Sequence, residues 1–146
     1  MSVKIAVQIC REGVTLPAYA KKGDAGMDVR AAVDVTVPPL KTAIVPTGLK
    51  VAIPAGYEIQ VRPRSGLSLK TSLRIPNSPG TIDSGYRDEV GIIVYNCDPD
   101  NPLNINRGDR IAQLVLQKVP RIDFVPVDDI LSVEGDRGGG FGHTGR

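Results

Sequence analysis

Apolar residues recur at every second position along several short segments of the chain. Between Val3 and Ile9 they occupy the odd positions, and Val recurs at odd positions over residues 28–37. A period of two residues is typical of a β-strand with one buried face, because successive side chains point to opposite sides of the strand. The pattern therefore predicts half-buried strands at both places.

The same pattern and its interruptions predict the other elements. Residues 90–95 are almost continuously apolar, so we expect that strand to be buried on both faces. One short helix is predicted over residues 65–71, after Pro63, with Ser65 as its cap. The remaining predicted strands, which are separated by turns containing Gly, Pro and Asn, cover residues 43–51, 57–61, 103–105 and 110–119.

Length and composition favour one all-β domain. The 146 residues fit a single domain. The 16 Gly and 12 Pro divide the chain into segments too short for a helical bundle, and 17 Val and 13 Ile stand against 10 Leu. Because β-branched side chains fit a pleated surface, this composition favours strands. The spacing of the predicted strands suits a sandwich or a closed barrel.

The C-terminal segment differs from the rest of the chain. Six of the residues 135–146 are Gly, so ordering this segment costs much backbone entropy. We therefore predict a domain over residues 1–134 and a mobile arm over residues 135–146. Arg137, Phe141 and Thr144 give the arm a cation, a ring and a hydroxyl, which suits a lid over an anionic, aromatic ligand. A disordered terminus is the alternative.

Charge and cysteine content exclude several function classes. The net charge of +2 is too small for bulk nucleic-acid binding or for a polybasic membrane surface. No apolar run approaches the roughly 20 residues that span a bilayer. Cys10 and Cys97 are expected to stay reduced, which predicts a cytoplasmic location. With His143 as the one His and no Cys-x-x-Cys, a metal site built of side chains is not supported.

Five segments combine glycine with charged or polar residues in a fixed order. They are Asp24-Ala25-Gly26-Met27-Asp28, Arg62-Pro63-Arg64-Ser65-Gly66-Leu67, Gly80-Thr81-Ile82-Asp83-Ser84-Gly85-Tyr86-Arg87, Arg107-Gly108-Asp109-Arg110-Ile111-Ala112-Gln113-Leu114 and Arg137-Gly138-Gly139-Gly140-Phe141-Gly142-His143-Thr144-Gly145. Their order and spacing resemble the five motifs of the trimeric dUTPase family, the dUTP pyrophosphatases. The resemblance implies a single-domain, jelly-roll-like β-barrel that hydrolyses dUTP to dUMP and pyrophosphate. Such activity keeps uracil out of DNA and supplies dUMP for thymidylate synthesis.

Asp83 is the candidate catalytic residue. It lies in a turn flanked by Gly80 and Gly85, where a carboxylate can face a pocket and act as a general base. The residue alone is also typical of a solvated turn, because Asp bonds locally to turn backbone. The resemblance implies that Asp83 orients the water that attacks the α-phosphate. Gly85 and Asp88 depart from the residues common in the family beside this turn.

Two further groups of residues take substrate-binding roles from the resemblance. The Tyr86 ring is expected to pack on the deoxyribose and exclude a 2′-hydroxyl, although ordinary sheet packing is its alternative role. Asn77, Thr81, Ile82 and Gly91 are expected to read uracil, the last three through their backbone. The expected phosphate-binding residues are Arg64, Ser65, Gly66, Gln113, Arg137, Gly142 and Thr144. Phe141 is expected to stack over the base.

The resemblance also implies a metal and an assembly. Magnesium, held mainly by the substrate phosphates, would be bound through water by Asp28. The family is trimeric, with each active site shared between subunits, so we expect a homotrimer. Two alternatives stay open: a dCTP deaminase-like enzyme, and a non-catalytic trimer that senses dUTP and regulates a protein partner.

Overall fold

The computed structural model describes residues 2–141, which form short β-strands and one short α-helix. The predicted all-β class is confirmed. Within the described range the strands are β1 (Ala6–Ile9), β2 (Met27–Arg30), β3 (Val35–Val37), β4 (Thr42–Pro46), β5 (Leu49–Ala52), β6 (Tyr57–Arg62), β7 (Leu73–Arg74), β8 (Gly80–Ile82), β9 (Gly91–Asn96), β10 (Leu103–Ile105) and β11 (Arg110–Lys118). The helix α1 spans Ser65–Lys70, and a 3-10 turn spans Ile130–Ser132.

The strands pair antiparallel in four small sheets. The largest has the order β2-β11-β6-β8, and a three-stranded sheet has the order β4-β9-β7. Two-stranded sheets join β1 to β5 and β3 to β10. Between them lies an aliphatic core. Its most deeply buried members include Val29, Val37, Val45, Ile92, Val94 and Ile111.

Two of the predicted strands are each divided in two. Residues 28–37 form β2 and β3, because the chain leaves the sheet between them and the backbone N–H groups of Ala31 and Ala32 bond to Asp109 and Pro46 instead. Residues 43–51 form β4 and β5. The break falls at Thr47 and Gly48, where Gly48 has a φ of 72°. This left-handed conformation costs a glycine little, and it ends the strand.

Burial differs from the prediction at both apolar strands. Val3 and Ile5 are partly buried, but all four residues of β1 are exposed, with Val7 at 41% and Ile9 at 46%, so the predicted half-burial is wrong for β1 in the single chain. In β9, Ile92 and Val94 are buried, but the alternate residues are only half-buried. The expectation that both faces of β9 are buried is therefore wrong.

The helix was predicted at the correct place, but its cap was not. The N-cap position is Arg64, and no side chain makes a capping hydrogen bond there. Ser65 is instead the first helical residue and is exposed. Its hydroxyl therefore does not fill the capping role that the sequence suggested.

Beyond Lys118 the chain leaves the sheets. Every residue from 119 to 141 is exposed, including several large apolar ones. We call the segment from residue 119 to residue 146 the C-terminal arm, of which the structure describes residues 119–141. The exposed segment begins well before residue 135, and the predicted division of the chain at residue 134 stays a prediction. Among residues 2–141, no helix is long and apolar enough to cross a membrane.

Candidate active site

The largest sheet places predicted substrate-binding and metal-binding residues close together. In its register, Gln113 of β11 lies opposite Asp28 of β2 on one side and opposite Arg62 of β6 on the other. Arg64 and Ser65 follow directly after the end of β6. Because neighbouring strands lie only about 4.8 Å apart, this register brings a carboxylate, an amide and guanidinium groups to one end of the sheet.

Ion pairs hold this end of the sheet together. The Nε of Arg64 donates to Oδ1 of Asp28 at 2.9 Å, and Nη1 of Arg110 approaches Oδ2 at 3.5 Å. The Asp28 side chain is 29% exposed, so water can still reach it. Arg110 was not assigned from the sequence, although it lies in the fourth motif. The missing signal was spatial, because 82 residues separate it from Asp28.

These residues border an open cleft of about 450 Å³. Its walls include Asp28, Arg64, Ser65, Gly66 and Gln113, all of which the sequence predicted as substrate or metal contacts. Arg62 and Asp24 also line the cleft, Arg64 is paired with Asp28, and the first helical N–H groups of α1 lack intrahelical partners. The cleft is therefore suited to an anionic group such as a polyphosphate. We call Asp28, Arg64, Ser65, Gly66 and Gln113 the phosphate cluster.

The second predicted group lies on β8 and the loop that follows it. Ile82 is buried, whereas Thr81 and Asp83 on either side are exposed. Ile82 can therefore meet a ligand at the surface only through its backbone, because its side chain is buried. After Asp83 the chain turns, with the Tyr86 N–H donating to the Asp83 carbonyl at 3.1 Å. The Tyr86 ring is 39% exposed, and its hydroxyl donates to the Glu89 carbonyl at 2.8 Å.

Close packing explains two glycines beside this loop. A Cβ on Gly80 would lie 3.1 Å from Cβ of Val61 and 3.4 Å from Nδ2 of Asn77, so the Asn77 amide lies against the start of β8. A Cβ on Gly91 would lie 2.6 Å from Cγ2 of Ile44. Packing within the chain therefore already accounts for Gly91, and a ligand is not needed to explain it.

An ion pair that the sequence did not indicate anchors the far end of the loop. Arg11 donates from Nε to Oε1 of Glu89 and from Nη2 to Oε2 at 2.9 Å, and the Gly48 N–H donates to Oε1 at 2.9 Å. The guanidinium of Arg11, helped by the Gly48 amide, lowers the pKa of the Glu89 carboxyl. The two residues are 78 positions apart, and therefore no local pattern could have linked them.

Within one chain, the phosphate cluster and Asp83 lie at opposite ends of the sheet. Strand β8 runs antiparallel to β6, with Gly80 opposite Val61 and Ile82 opposite Ile59. Asp83 thus continues past Ile59, while Ser65 lies beyond the other end of β6. The length of β6 between Glu58 and Arg62 alone is about 13 Å at the usual strand rise. One chain therefore does not bring the two groups into contact.

The arm residues are placed only in part. Arg137 and Phe141 are exposed, and Phe141 is fully so. Gly142 and Thr144 lie outside the described residues. Among residues 2–141, no group of three or more His, Cys, Asp or Glu side chains could hold a metal ion by itself.

The chain is similar in sequence to known proteins. The dUTPase family model matches residues 12–145. A deoxyuridine 5′-triphosphate nucleotidohydrolase of Fusobacterium nucleatum subsp. nucleatum is 51% identical over an alignment of 147 positions, gaps included, which covers 98% of this chain and 99% of the relative.

Solved structures agree with the sequence comparison. The Staphylococcus bacteriophage 80alpha dUTPase with dUpNHpp has a TM-score of 0.87 and 29% identity, covering 99% of this chain and all of the phage chain. A variant of the dUTPase from phage phi11 of S. aureus, described with a structural Mg(II) ion, has a TM-score of 0.81 and 28% identity, covering 88% of this chain and 99% of its own. These matches confirm the jelly-roll-like fold, and the chain belongs to the dUTPase family.

Proposed function

We propose that this protein hydrolyses dUTP to dUMP and pyrophosphate. The observation that carries the proposal is the cleft of the phosphate cluster, which combines arginines, an amide and helical N–H groups in a chain of the dUTPase family. The names of the relatives and the dUTP analogue bound by the phage enzyme support the same substrate. The product dUMP would serve thymidylate synthesis, and removal of dUTP would keep uracil out of DNA.

Asp83 is the proposed general base. It is exposed at the end of β8, so a water molecule and a substrate can both reach its carboxylate. The carboxylate would accept a proton from that water while the water oxygen attacks the α-phosphorus. The bond between the α-phosphorus and the oxygen that bridges it to the β-phosphate breaks, and pyrophosphate leaves with that oxygen.

The phosphate cluster would bind and orient the triphosphate. Arg64 and Gln113 line the cleft, and the exposed Ser65 and Gly66 offer backbone N–H groups at the first turn of α1. Fixed donors of this kind stabilise negative charge that develops on the departing phosphates. From the arm, Arg137, Gly142 and Thr144 are proposed to close over the phosphates, and Phe141 to stack on the base.

Magnesium fits the residues at this cleft. Asp28 uses one bond to Arg64 and a long one to Arg110, and an ionised carboxylate offers about four acceptor sites, so sites remain for water. Asp28 would therefore hold the ion through water, while the phosphates of dUTP supply direct ligands. The bound ion would neutralise charge and fix the shape of the triphosphate.

The loop around β8 would select the nucleoside. Asn77 and the backbone of Thr81, Ile82 and Gly91 are proposed to pair with uracil, since an amide and a strand edge offer both donors and acceptors. The exposed face of the Tyr86 ring would pack on the deoxyribose and leave no space for a 2′-hydroxyl.

We also propose a homotrimer whose active sites are shared between subunits. The separation of Asp83 from the phosphate cluster within one chain supports this, because reacting groups must approach to about 3–3.5 Å. A cleft from one subunit facing the loop of its neighbour would complete each site. The number three rests on the resemblance to the family.

The exposed C-terminal arm supports the same assembly. Ile122, Phe124 and Val125 are each more than three-quarters exposed, which is unusual for large apolar side chains at adjacent positions. An apolar groove of about 270 Å³ is lined in part by Val7 of β1, by Tyr19 and by other apolar residues of β5, β6 and β11. The arm of a neighbouring subunit could cover this groove. Burial of such side chains contributes roughly 1.5–3 kcal/mol each.

The first experiment is pyrophosphate release from dUTP with magnesium, run beside dCTP, dTTP and UTP. We expect release from dUTP alone and loss of release when the magnesium is chelated. Ammonia release from dCTP would instead support the deaminase. Tight dUTP binding without turnover would support the regulatory protein. The cytoplasmic location stays a prediction, to be checked by fractionation of the source cells.

Shared sites can be tested by mixing two inactive variants. Asp83→Asn and Arg64→Ala chains carrying different tags would be co-expressed and purified through both tags. In any such mixed trimer, about one site in three receives an intact loop from one chain and an intact phosphate cluster from the next. We therefore expect about a third of the wild-type activity. Activity no higher than that of either variant alone would contradict shared sites.

A further inference from the structure

The Arg11–Glu89 ion pair lies outside both substrate-binding groups, yet it is bonded into the loop that carries Tyr86. Glu89 receives two bonds from Arg11 and one from the Gly48 amide, and its side chain is 24% exposed. A bidentate guanidinium–carboxylate pair fixes orientation as well as distance. Glu89 is therefore held at three points by residues far from it in the sequence.

The backbone on the C-terminal side of Glu89 is held as firmly. The Val90 N–H donates to the Leu49 carbonyl at 2.8 Å, and the buried Thr47 hydroxyl donates to the Val90 carbonyl at 2.6 Å. Val90 is itself buried. The Glu89 carbonyl is thus held in place against the turn at residues 47–49, although the loop before Glu89 is exposed.

Tyr86 is tied to that fixed point. Its hydroxyl donates to the Glu89 carbonyl at 2.8 Å, and its N–H to the Asp83 carbonyl at 3.1 Å. The second bond orients the backbone, but the first sets where the end of the ring lies. The position of the ring consequently depends on the Glu89 carbonyl. That carbonyl is held on one side by the bonds of Val90 and on the other by the bonds from Arg11 to the Glu89 side chain.

We propose that Arg11 and Glu89 are positioning residues that hold the Tyr86 ring in place and thereby set the discrimination between deoxyribonucleotides and ribonucleotides. This inference rests on the proposed hydrolysis of dUTP and on the proposed contact of Tyr86 with the sugar. A ring excludes a single added hydroxyl only if it cannot move away by about the size of one atom. Loosening the ring therefore admits UTP without removing any group that contacts dUTP.

The test measures kcat and KM for dUTP and for UTP in the wild type, Arg11→Gln and Glu89→Gln. We expect the ratio of the two kcat/KM values to fall about tenfold in each variant, the range expected for small steric differences. The kcat for dUTP should stay within about threefold of the wild type, because no group that touches dUTP is removed. Lys41→Gln, which removes an exposed charge far from the loop, is the matched control and should leave the ratio unchanged.

A double-mutant cycle separates positioning from general destabilisation. Tyr86→Phe removes only the hydroxyl bonded to Glu89, so it should lower the ratio by a similar factor. Combining it with Arg11→Gln should add little, because both changes act through one chain of contacts. Arg11→Lys keeps the charge and one donor and should recover part of the ratio, which also covers the case in which Arg11→Gln folds poorly.

An unchanged ratio in Arg11→Gln, or fully additive effects with Tyr86→Phe, would overturn the inference. An equal fall in the rates with dUTP and UTP would also overturn it, since that result indicates a structural role. These outcomes leave the proposed function intact, because the wild type would still release pyrophosphate from dUTP. Failure of the wild type to do so would overturn the proposed function, and this inference with it.

Discussion

The phosphate cluster and the loop that carries Asp83 are built in opposite ways. In the phosphate cluster, Asp28 and Arg64 are ion-paired to each other, and Asp28 and Gln113 lie opposite each other on adjacent strands of one sheet. In the loop, Asp83 and Tyr86 are exposed. They are held by backbone bonds and by the bond from Tyr86 to Glu89, which is itself paired with the distant Arg11. The first group is preorganised within its own sheet. The second depends on contacts made elsewhere in the fold, so the two can be damaged separately.

The largest effect is expected at Asp83. Asp83→Asn removes the proposed proton acceptor but keeps the shape of the side chain, so pyrophosphate release should fall by about 10²–10⁴. Binding of dUpNHpp, measured by calorimetry, should change by less than about threefold, because the phosphate cluster is intact. Retention of most of the activity would contradict the role of Asp83.

Two truncations distinguish the parts of the arm. A chain ending at Gly135 lacks Arg137 and Phe141, so we expect turnover to fall strongly while the trimer persists. A chain ending at Lys118 also lacks the exposed apolar residues of the arm, and we expect it to lose the trimer. Sedimentation and pyrophosphate release together would show this. Loss of the trimer in the longer chain would mean that the last residues are structural.

A pair of Gly→Ala variants compares stability at the phosphate cluster and at Gly48, whose amide bonds the loop anchor Glu89. Gly48 has a φ of 72°, and a Cβ there would lie 2.6 Å from Cγ2 of Val14, so Gly48→Ala should lower the free energy of unfolding by about 1–3 kcal/mol. A Cβ on Gly66 meets nothing within 4 Å, so Gly66→Ala should raise the free energy of unfolding by about 0.5–1 kcal/mol. Urea unfolding measures both values, and equal effects would contradict the comparison.

The smallest effect is the pH dependence contributed by Glu89. Because Arg11 lowers its pKa in the folded state, Glu89 stabilises the fold above its unfolded pKa of about 4.3. That contribution is lost as the pH falls through the lower, folded-state pKa. The stability difference between the wild type and Glu89→Gln should therefore shrink as the pH is lowered from 7 to 3. A difference that stays constant over this range would contradict the pKa assignment.

Alternation of apolar and polar residues predicted the strands that bury one face within the chain. Residues 57–61 and 103–105 alternate cleanly, and β6 and β10 follow those limits within one residue. The failures have physical reasons. The alternation of β1 predicts a buried face, but in the single chain the strand is exposed, and β7 and β8 are too short and too close to Gly or Pro to give a period.

In the candidate site, too, the sequence predicted some residues and missed others. The motifs predicted Asp28, Arg64 and Gln113, and the sheet brings them together. Arg110 and the Arg11–Glu89 pair were missed, because each is defined by contacts between positions about 80 residues apart. A sequence pattern identifies the residues that would touch a ligand more readily than those that hold them in place.

The composition of the arm also bears on the newly made chain. Before subunits meet, Ile122, Phe124 and their neighbours are exposed to any other unfolded chain, which is a hazard for aggregation. Pro120 and Pro126 lack the N–H that a growing cross-β stack needs, and Asp123 places a charge between the two large apolar residues. These three residues thus disfavour β-pairing of the segment with other unfolded chains until a matching surface is available.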